Sequence, residues 1–274
     1  MRTWPRQSIR YALLVIAAGF SIFPLLVMVD TAFKTSPEIA GNQHWVPQTA
    51  TLSFWSSALQ SSVLWLWLRN SAIIATGVAV LTLAVAIPAA YVLARRQFKG
   101  NVLFLDTVLV TQTIAPAVLI VPLFELFRRF GLIGTFQGVI LVSSAFVVPF
   151  SIWLLVAFFR QVPAELEEAA AIDGTMGLRF LLRFMVPTSF PGIVATGLWA
   201  FMYGWNEFMF SVTFLSGVSS RWPITIGVFT NSGEFFVQWQ LLAIDAFVGT
   251  IPVLIVFVIL RRRLELALGS TIGG

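Results

Sequence analysis

Six long stretches of apolar residues divide the chain, and the shorter segments between them carry most of the charges. The apolar stretches cover residues 11–29, 71–94, 102–127, 138–159, 190–215 and 241–260. A helix of about 20 apolar residues is long enough to cross a bilayer core about 30 Å thick. The pattern predicts an all-α, polytopic membrane protein with six transmembrane helices in one domain, residues 1–274. Pro116 and Pro122 predict a bend or break in the third span.

The composition favours lipid over water as the main solvent of the chain. Hydrophobic residues make up 58% of it and charged residues only 11%, whereas a soluble domain carries about 25% charged residues. The net charge of +5 would suit nucleic acid. However, the basic residues fall between the apolar stretches instead of forming one stripe, so we predict no nucleic-acid partner. With no cysteine in the sequence, disulfides and thiolate metal sites are excluded.

The distribution of Lys and Arg predicts that both termini lie in the cytoplasm, because cytoplasmic loops carry an excess of these residues. With the N-terminus inside, the inner segments hold twelve basic residues and the outer segments hold five. The inner set is Arg2, Arg6, Arg10, Arg95, Arg96, Lys99, Arg160, Arg179, Arg183, Arg261, Arg262 and Arg263, and the outer set is Lys34, Arg69, Arg128, Arg129 and Arg221. This orientation puts the segment between the fourth and fifth spans in the cytoplasm.

That segment, residues 160–187, is too polar at its start to cross the membrane. A run of Glu, Leu and Ala favours a short helix, and Gly174 suits the left-handed conformation that ends it. Apolar residues at three- and four-residue spacing predict a second helical segment up to Pro187. The small Ala169 and Ala170 would let a groove of another protein close over the first helix. Alternatively, the segment is a re-entrant or surface-lying linker that holds the fifth span in place.

The same segment resembles the E-A-A-x3-G-x9-I-x-L-P signature of ABC importer permeases. The matching residues are Glu168, Ala169, Ala170, Gly174 and Pro187, with Phe184 and Val186 where the signature has Ile and Leu. The wider run from Pro163 to Gly174 is similar to the carbohydrate-uptake branch, the maltose-permease type. Further matches to that branch are Arg69-Asn70-Ser71, Gly131 to Thr135, Trp205-Asn206-Glu207-Phe208 and Pro252.

The resemblance implies the partners and mechanism of such an importer. A second homologous permease would form a heterodimer with this chain, a dimer of ATP-binding subunits would bind ATP and Mg, and an extracytoplasmic solute-binding protein would deliver the solute. The solute would be a sugar or sugar-like molecule, such as an oligosaccharide, an amino sugar or a glycerophosphodiester. The complex would lie in the bacterial cytoplasmic membrane, in contact with lipid, and work by alternating access. This chain has no phosphate-binding loop, so we predict that it is not an enzyme and holds no cofactor itself.

In the resembling family, a coupling helix inserts into a cleft of the ATPase subunit, and its residues have separate roles. Glu168 would contact the ATPase, Ala169 and Ala170 would permit its close approach, Gly174 would form the turn, Asp173 would help to hold that turn, and Pro187 would end the signature.

Trp205, Asn206 and Glu207 are the candidate solute contacts. An aromatic ring and hydrogen-bonding side chains would suit a polyol, and a charge within a span is costly enough to indicate a cavity or a partner. Alternatively, these residues pack the helix bundle or meet the partner permease. His44 is expected to be an ordinary loop residue or to help dock the solute-binding protein, and no metal site is predicted.

Two other classes of function compete with the importer. A self-sufficient ion-coupled carrier would use Glu125, Glu207 or Asp245 as its proton or cation site, but the sequence shows none of the inverted repeats expected of a carrier. A membrane enzyme would need paired carboxylates, a metal cluster or a nucleophile with its base, and the sequence has none at a usable spacing. We therefore expect a transport subunit.

Overall fold

The computed structural model describes residues 4–41, 44–96, 99–230 and 237–272. These residues form helices and turns and no strand, which confirms the all-α prediction. The helices are α1 Trp4–Phe33, α2 Ser36–Ala40, α3 Ser53–Gln60, α4 Ser62–Arg95, α5 Asn101–Val110, α6 Pro116–Arg129, α7 Phe136–Phe159, α8 Ala164–Ile172, α9 Leu178–Phe180, α10 Val186–Thr188, α11 Phe190–Trp205, α12 Met209–Phe214, α13 Ile224–Thr230 and α14 Trp239–Ile272. A π-helical turn, Leu181–Met185, joins α9 to α10.

Four of these helices contain a stretch that is long and apolar enough to cross a membrane. The stretches are Ile9–Phe33, Ser62–Arg95, Phe136–Phe159 and Trp239–Leu260. Two bent pairs satisfy the same requirement together: Leu103–Thr113 with Pro116–Arg129, bent by 93°, and Leu178–Thr188 with Phe190–Trp205, bent by 85°. The described residues thus hold four spans, or six if each bent pair crosses once, in agreement with the predicted polytopic fold.

The third predicted span, residues 102–127, is broken near its first proline, as predicted. α5 ends at Val110, a 3-10 turn follows, and α6 begins at Pro116, where the N–H that proline lacks is not needed by the helix. The Gln112 side chain in the turn donates a hydrogen bond to the Phe146 carbonyl of α7 at 2.7 Å. A side chain inside the break therefore ties it to the neighbouring helix.

The fifth predicted span, residues 190–215, is not one helix. α11 ends at Trp205 and α12 starts at Met209, so hydropathy alone overestimated the length of the helix. Two polar side chains in the gap bond to the helix ends, Asn206 to α11 and Glu207 to α12. Such capping ends a helix even where the flanking residues are apolar.

Contacts within the chain group its residues into two compact units. The first comprises Met1–Trp65 and Gly227–Pro252, and the second comprises Leu66–Ile226 and Val253–Gly274. In the first unit, the Trp55 ring lies near the rings of Phe33 and Phe247, with centroids 5.5 and 5.9 Å away. The single permease domain over residues 1–274 stays a prediction.

In the second unit, Asn70 and Ser71 of α4 are bonded to the segment that leads from α12 into the first residue of α13. The Asn70 Nδ2 group donates to the carbonyls of Ser220 and Trp222 at 3.0 and 2.9 Å. The Ser71 Oγ accepts a hydrogen bond from the Ile224 N–H at 2.9 Å. Asn70 and Ser71 are buried, so these bonds satisfy polar groups that water does not reach.

α4, α7 and α11 form much of the core of the second unit, and Gly204 lets α11 approach α4 closely. A Cβ built at Gly204 would lie 2.9 Å from the Ala75 Cα and 3.0 Å from the Val78 Cβ. Small residues allow this kind of close helix packing in membranes.

We expect Gly204→Ala to destabilise the second unit by about 1–3 kcal/mol, because the added methyl group would clash with the backbone of α4. Gly217→Ala is the matched control, since nothing lies within 4 Å of a Cβ built there. Thermal unfolding of the two purified variants in detergent measures the difference. Equal unfolding midpoints would contradict the close packing.

Candidate functional site

The predicted helix–turn–helix between the fourth and fifth spans is present. α8 ends at Ile172, and the following turn is a Schellman motif. In this motif the Gly174 N–H donates to the Ala171 carbonyl at 3.0 Å, and the Thr175 N–H donates to the Ala170 carbonyl at 2.8 Å. Gly174 has a φ of +70°, the left-handed conformation predicted for it. The backbone geometry at this position therefore favours glycine over residues with a Cβ.

Asp173 and Pro187 act on the same segment through the backbone. Asp173 is the C-cap of α8, and its N–H donates to the Ala169 carbonyl at 3.3 Å. Pro187 lies in α10, directly after the π-helical turn Leu181–Met185. Because proline cannot donate a hydrogen bond to the residue four positions earlier, the regular helix is interrupted before it. Both side chains are exposed.

One face of α8 is exposed. Glu165, Glu168, Ala169 and Ile172 recur on it at three- and four-residue spacing. The Ile172 side chain is 88% exposed, and Met176, beyond the turn, is 63% exposed. Exposed apolar residues on a helix that also carries carboxylates form a surface suited to another protein.

The opposite face of α8 packs into the second unit. Ala170 is 4% exposed and belongs to a core cluster with Leu155, Phe159 and Phe180. The structure thus separates the two alanines of the motif, since Ala169 is exposed and Ala170 is buried. The small side chain of Ala170 fits a packed space inside its own chain, and its expected role in the close approach of another protein stays a prediction.

Glu167 anchors α8 to the end of α4. Its Oε1 accepts a hydrogen bond from the Tyr91 Oη at 3.1 Å, and its Oε2 lies 3.6 Å from the Arg95 Nε. The Arg95 Nη2 also donates to the Val162 carbonyl at 2.6 Å. The sequence indicated Glu167 only as part of a run of Glu, Leu and Ala that favours a short helix. Its position three residues before the inward-facing Ala170 is the signal that could have found it.

Trp205 and Asn206, two of the candidate solute contacts, have different surroundings. The Trp205 ring is buried and stacks on Phe201, with centroids 5.8 Å apart. Asn206 is exposed, and its Nδ2 donates to the Met202 carbonyl at 2.8 Å. The structure therefore leaves Asn206 open to a ligand and places Trp205 in the packed interior.

Glu207, the third candidate, caps α12. It is 7% exposed, and its carboxylate accepts hydrogen bonds from the N–H groups of Phe210 and Ser211 at 2.7 Å each. Its carbonyl accepts a hydrogen bond from the Thr225 Oγ1 at 2.9 Å. A carboxylate at a helix N-terminus satisfies free N–H groups and favours the helix dipole. The local geometry thus gives Glu207 a structural role.

A groove of about 490 Å³ runs beside the gap between α11 and α12. Its lining includes Trp199, Tyr203, Asn206 and Glu207. Trp199 is 45% exposed and presents an aromatic face that Trp205 does not. Trp199, Tyr203 and Asn206 follow one another at four- and three-residue spacing, and this helical periodicity is the signal that could have found the first two.

The acidic residues considered for an ion-coupled carrier lie in different surroundings. Glu125 is paired with Arg128 and Arg129 at 2.9 and 3.2 Å, with its side chain 43% exposed. Asp245 is buried in α14. In the part of the chain that the structure describes, no group of three His, Asp or Glu residues is placed to hold a metal ion.

The family comparison distinguishes between these classes of function. Residues 83–268 match the family model of the binding-protein-dependent transport system inner membrane component. The matched residues include α8, its turn and the residues of the groove. The chain belongs to this permease family. The match confirms the family that the E-A-A motif indicated, and the permease is a multi-pass transport subunit.

Relatives of the permease extend over nearly its whole length. It is 32% identical to the sulfoquinovosyl glycerol transport system permease protein SmoH of Agrobacterium fabrum, over 98% of the chain and 93% of the relative. It is 30% identical to the diacetylchitobiose uptake system permease protein NgcG of Streptomyces coelicolor, over 94% of the chain and 85% of the relative.

A solved structure has the same fold. It is the crystal structure of a bacterial ABC transporter involved in the import of the acidic polysaccharide alginate. The TM-score is 0.80 over 96% of this chain and 98% of that chain, at 18% sequence identity. At that identity the likeness concerns the fold alone.

Glu167→Ala is expected to loosen α8, because it removes both contacts to α4 and leaves the largely buried Arg95 without its carboxylate partner. We expect a loss of about 1–2 kcal/mol and roughly tenfold faster amide exchange in α8. Hydrogen–deuterium exchange of the purified permease measures this. Glu165→Ala is the matched control, since that carboxylate lies on the exposed face. Equal amide exchange in the two variants would show that Glu167 does not anchor α8.

Proposed function

We propose that this permease imports a sugar or sugar-like solute as part of an ABC transporter, and that α8 is its coupling helix. The observation that carries the proposal is the division of α8 into two faces. Glu168, Ala169 and Ile172 are exposed, while Glu167 and Ala170 hold the helix to its own chain. A coupling element needs both properties, a free face for its partner and a firm attachment to a span that moves.

The proposed partner at the free face is an ATP-binding subunit. Two such subunits would bind ATP and Mg, because the permease sequence has no phosphate-binding loop. Closure of their dimer would displace α8, and Tyr91 and Arg95 would transmit the displacement to α4. Rocking of the helix bundle would then give alternating access to the solute. A second homologous permease would complete the pathway as a heterodimer, and an extracytoplasmic solute-binding protein would deliver the solute.

The proposed solute is an oligosaccharide, an amino sugar, a glycerophosphodiester or a molecule close to these. The solutes named for the relatives support this class, namely sulfoquinovosyl glycerol, diacetylchitobiose and, for a permease of Mycobacterium tuberculosis that is 28% identical, trehalose. The groove also suits a polyol. Trp199 and Tyr203 offer aromatic faces, and the Asn206 amide retains hydrogen-bonding groups beyond its one bond to Met202.

The proposed location is the bacterial cytoplasmic membrane, with both termini in the cytoplasm. The excess of Lys and Arg in the inner segments supports this orientation. It would place α8 on the side of the membrane where the ATP-binding subunits lie.

The surroundings of two acidic residues argue against the alternative function, an ion-coupled carrier. The Glu207 carboxylate is already bonded to the N–H groups of α12, and the Glu125 carboxylate is paired with two arginines. A carrier site needs a carboxylate that exchanges its ion or proton during each cycle. These two carboxylates instead have fixed partners within the chain.

Blocking the exposed face of α8 tests the coupling proposal. We expect Ala169→Trp and Ile172→Asp to lower both solute uptake and solute-stimulated ATP hydrolysis roughly tenfold or more, because they disrupt a packed contact. Uptake and hydrolysis are measured on the complex reconstituted in vesicles. Ala169→Ser keeps the small side chain and should behave as wild type. If both disruptive variants retain full activity, α8 is a surface linker. Uptake by the permease alone, driven by an ion gradient, would favour the carrier.

Shortening the aromatic side chain in the groove tests the solute path. We expect Trp199→Ala to raise the KM of uptake roughly fivefold, because an aromatic stacking surface is lost, and to leave basal ATP hydrolysis unchanged. Phe190→Ala is the matched control, since Phe190 is on the same helix, is 44% exposed and lies outside the groove. An unchanged KM in Trp199→Ala would exclude the groove from the path.

A further inference from the structure

The first unit contains a cavity of about 560 Å³, and neither α8 nor the groove beside α12 contributes to its walls. Its walls come from the last turns of α1, from α2, from His44 and Trp45, and from Trp239. α1 contains the apolar stretch Ile9–Phe33, and another apolar stretch begins at Trp239. The cavity therefore lies where one apolar stretch ends and another starts, which is the position expected for a site at a membrane boundary.

The lining of this cavity changes from apolar to charged along α1. Phe23, Leu26 and Val27 line one end, and Asp30 and Lys34 line the other. At about 1.5 Å per residue, Phe23 and Lys34 are about 16 Å apart along the helix axis. A water-soluble ligand keeps polar groups over most of its surface, whereas an amphiphile has one apolar and one polar end. The lining matches an amphiphile.

Both signs of charge occur at the polar end. The Lys34 ammonium pairs with the Asp30 carboxylate, and these side chains are only 12% and 20% exposed. Glu38 adds a second carboxylate, whose oxygens accept hydrogen bonds from the N–H groups of Thr35, Gln48 and Thr49. Hydrogen bonds from the backbone N–H groups of Thr35 and Thr49 lower the pKa of Glu38, so it is ionised at neutral pH. Two carboxylates and one ammonium suit a ligand with a cation as well as an anion, and they disfavour a ligand with an anion alone.

Two tryptophans border the cavity. The Trp45 and Trp239 side chains are 79% and 50% exposed, and the Trp45 ring lies 6.1 Å from the Phe23 ring. Indole rings favour the membrane–water interface, because the N–H edge is polar and the rest of the ring is apolar. Two such rings beside the cavity favour a site at that interface.

We propose that this cavity binds a phospholipid with an ethanolamine headgroup. The headgroup ammonium lies against Asp30 and Glu38, the phosphate lies near Lys34, and the acyl chains run along Phe23 and Leu26. The site does not depend on which solute is transported, so it is tested separately from the proposed import function.

Lipid retention by the purified importer complex tests this proposal. The complex is equilibrated in nanodiscs made of equal parts phosphatidylethanolamine and phosphatidylglycerol, and native mass spectrometry counts the lipids that stay bound after release. We expect the wild-type complex to retain phosphatidylethanolamine in preference to phosphatidylglycerol. Asp30→Asn is expected to lower that retention roughly fivefold, the effect of one charge at a membrane surface. Leu26→Trp is expected to lower it by filling the apolar end.

Glu125→Gln is the matched control. It removes a carboxylate from an ion pair in the second unit, and it should retain lipid as the wild type does. Equal retention of the two phospholipids by the wild-type complex would overturn the proposal without any variant. Unchanged retention in Leu26→Trp would place the bound lipid elsewhere.

A different occupant of the cavity is also detectable. The chain has no native cysteine, so Leu26→Cys introduces a single thiol beside the apolar end. Cross-linking of this thiol to another subunit of the complex would show that a protein covers the cavity, and the proposal would fail. Its labelling by a lipid-soluble maleimide, reduced by added phosphatidylethanolamine, would support the proposal.

Discussion

A backbone that runs through hydrocarbon has no water to bond to, and this requirement bears on two places where a predicted span of this permease is interrupted. At both interruptions, polar side chains bond to backbone groups. Gln112 ties the broken third span to a carbonyl of α7. Asn206 bonds to the end of α11, and Glu207 bonds to the start of α12. The polar residues inside the apolar stretches thus make the interruptions possible, and one interruption creates the edge along which the groove forms.

The features that depend on local sequence could be predicted, and those that depend on distant pairs could not. The apolar stretches follow from hydropathy, the break near Pro116 follows from the missing N–H, and the turn at Gly174 follows from its tolerance of a positive φ. The anchor of α8 joins Glu167 to Tyr91, 76 residues earlier, and no periodicity in the sequence connects the two. The gap after Trp205 was missed because a hydropathy scale records Glu207 only as a polar residue. It does not show that the Glu207 side chain can cap a helix.

The E-A-A segment shows that neighbouring residues of one short motif can lie in opposite surroundings. Of the two neighbouring alanines, Ala169 is exposed and Ala170 is packed against Phe159 and Phe180. A larger residue in place of Ala170 would disturb this internal packing. Under the proposed coupling role, a larger residue in place of Ala169 would obstruct the contact with a partner. Structural constraints of this kind involve few residues. The fold can therefore be shared with a bacterial ABC transporter involved in alginate import at only 18% sequence identity.

The bonds made by Asn70 and Ser71 bear on how the chain is made. Their partners Ser220, Trp222 and Ile224 come 150 to 153 residues later. At a synthesis rate of about 5–20 residues per second, α4 waits on the order of 10 s for them. During that time two polar side chains of an early helix have no partner from the later part of the chain. A chain that stops early never acquires these bonds, so the completed permease differs from a truncated product in a way that membrane quality control could recognise.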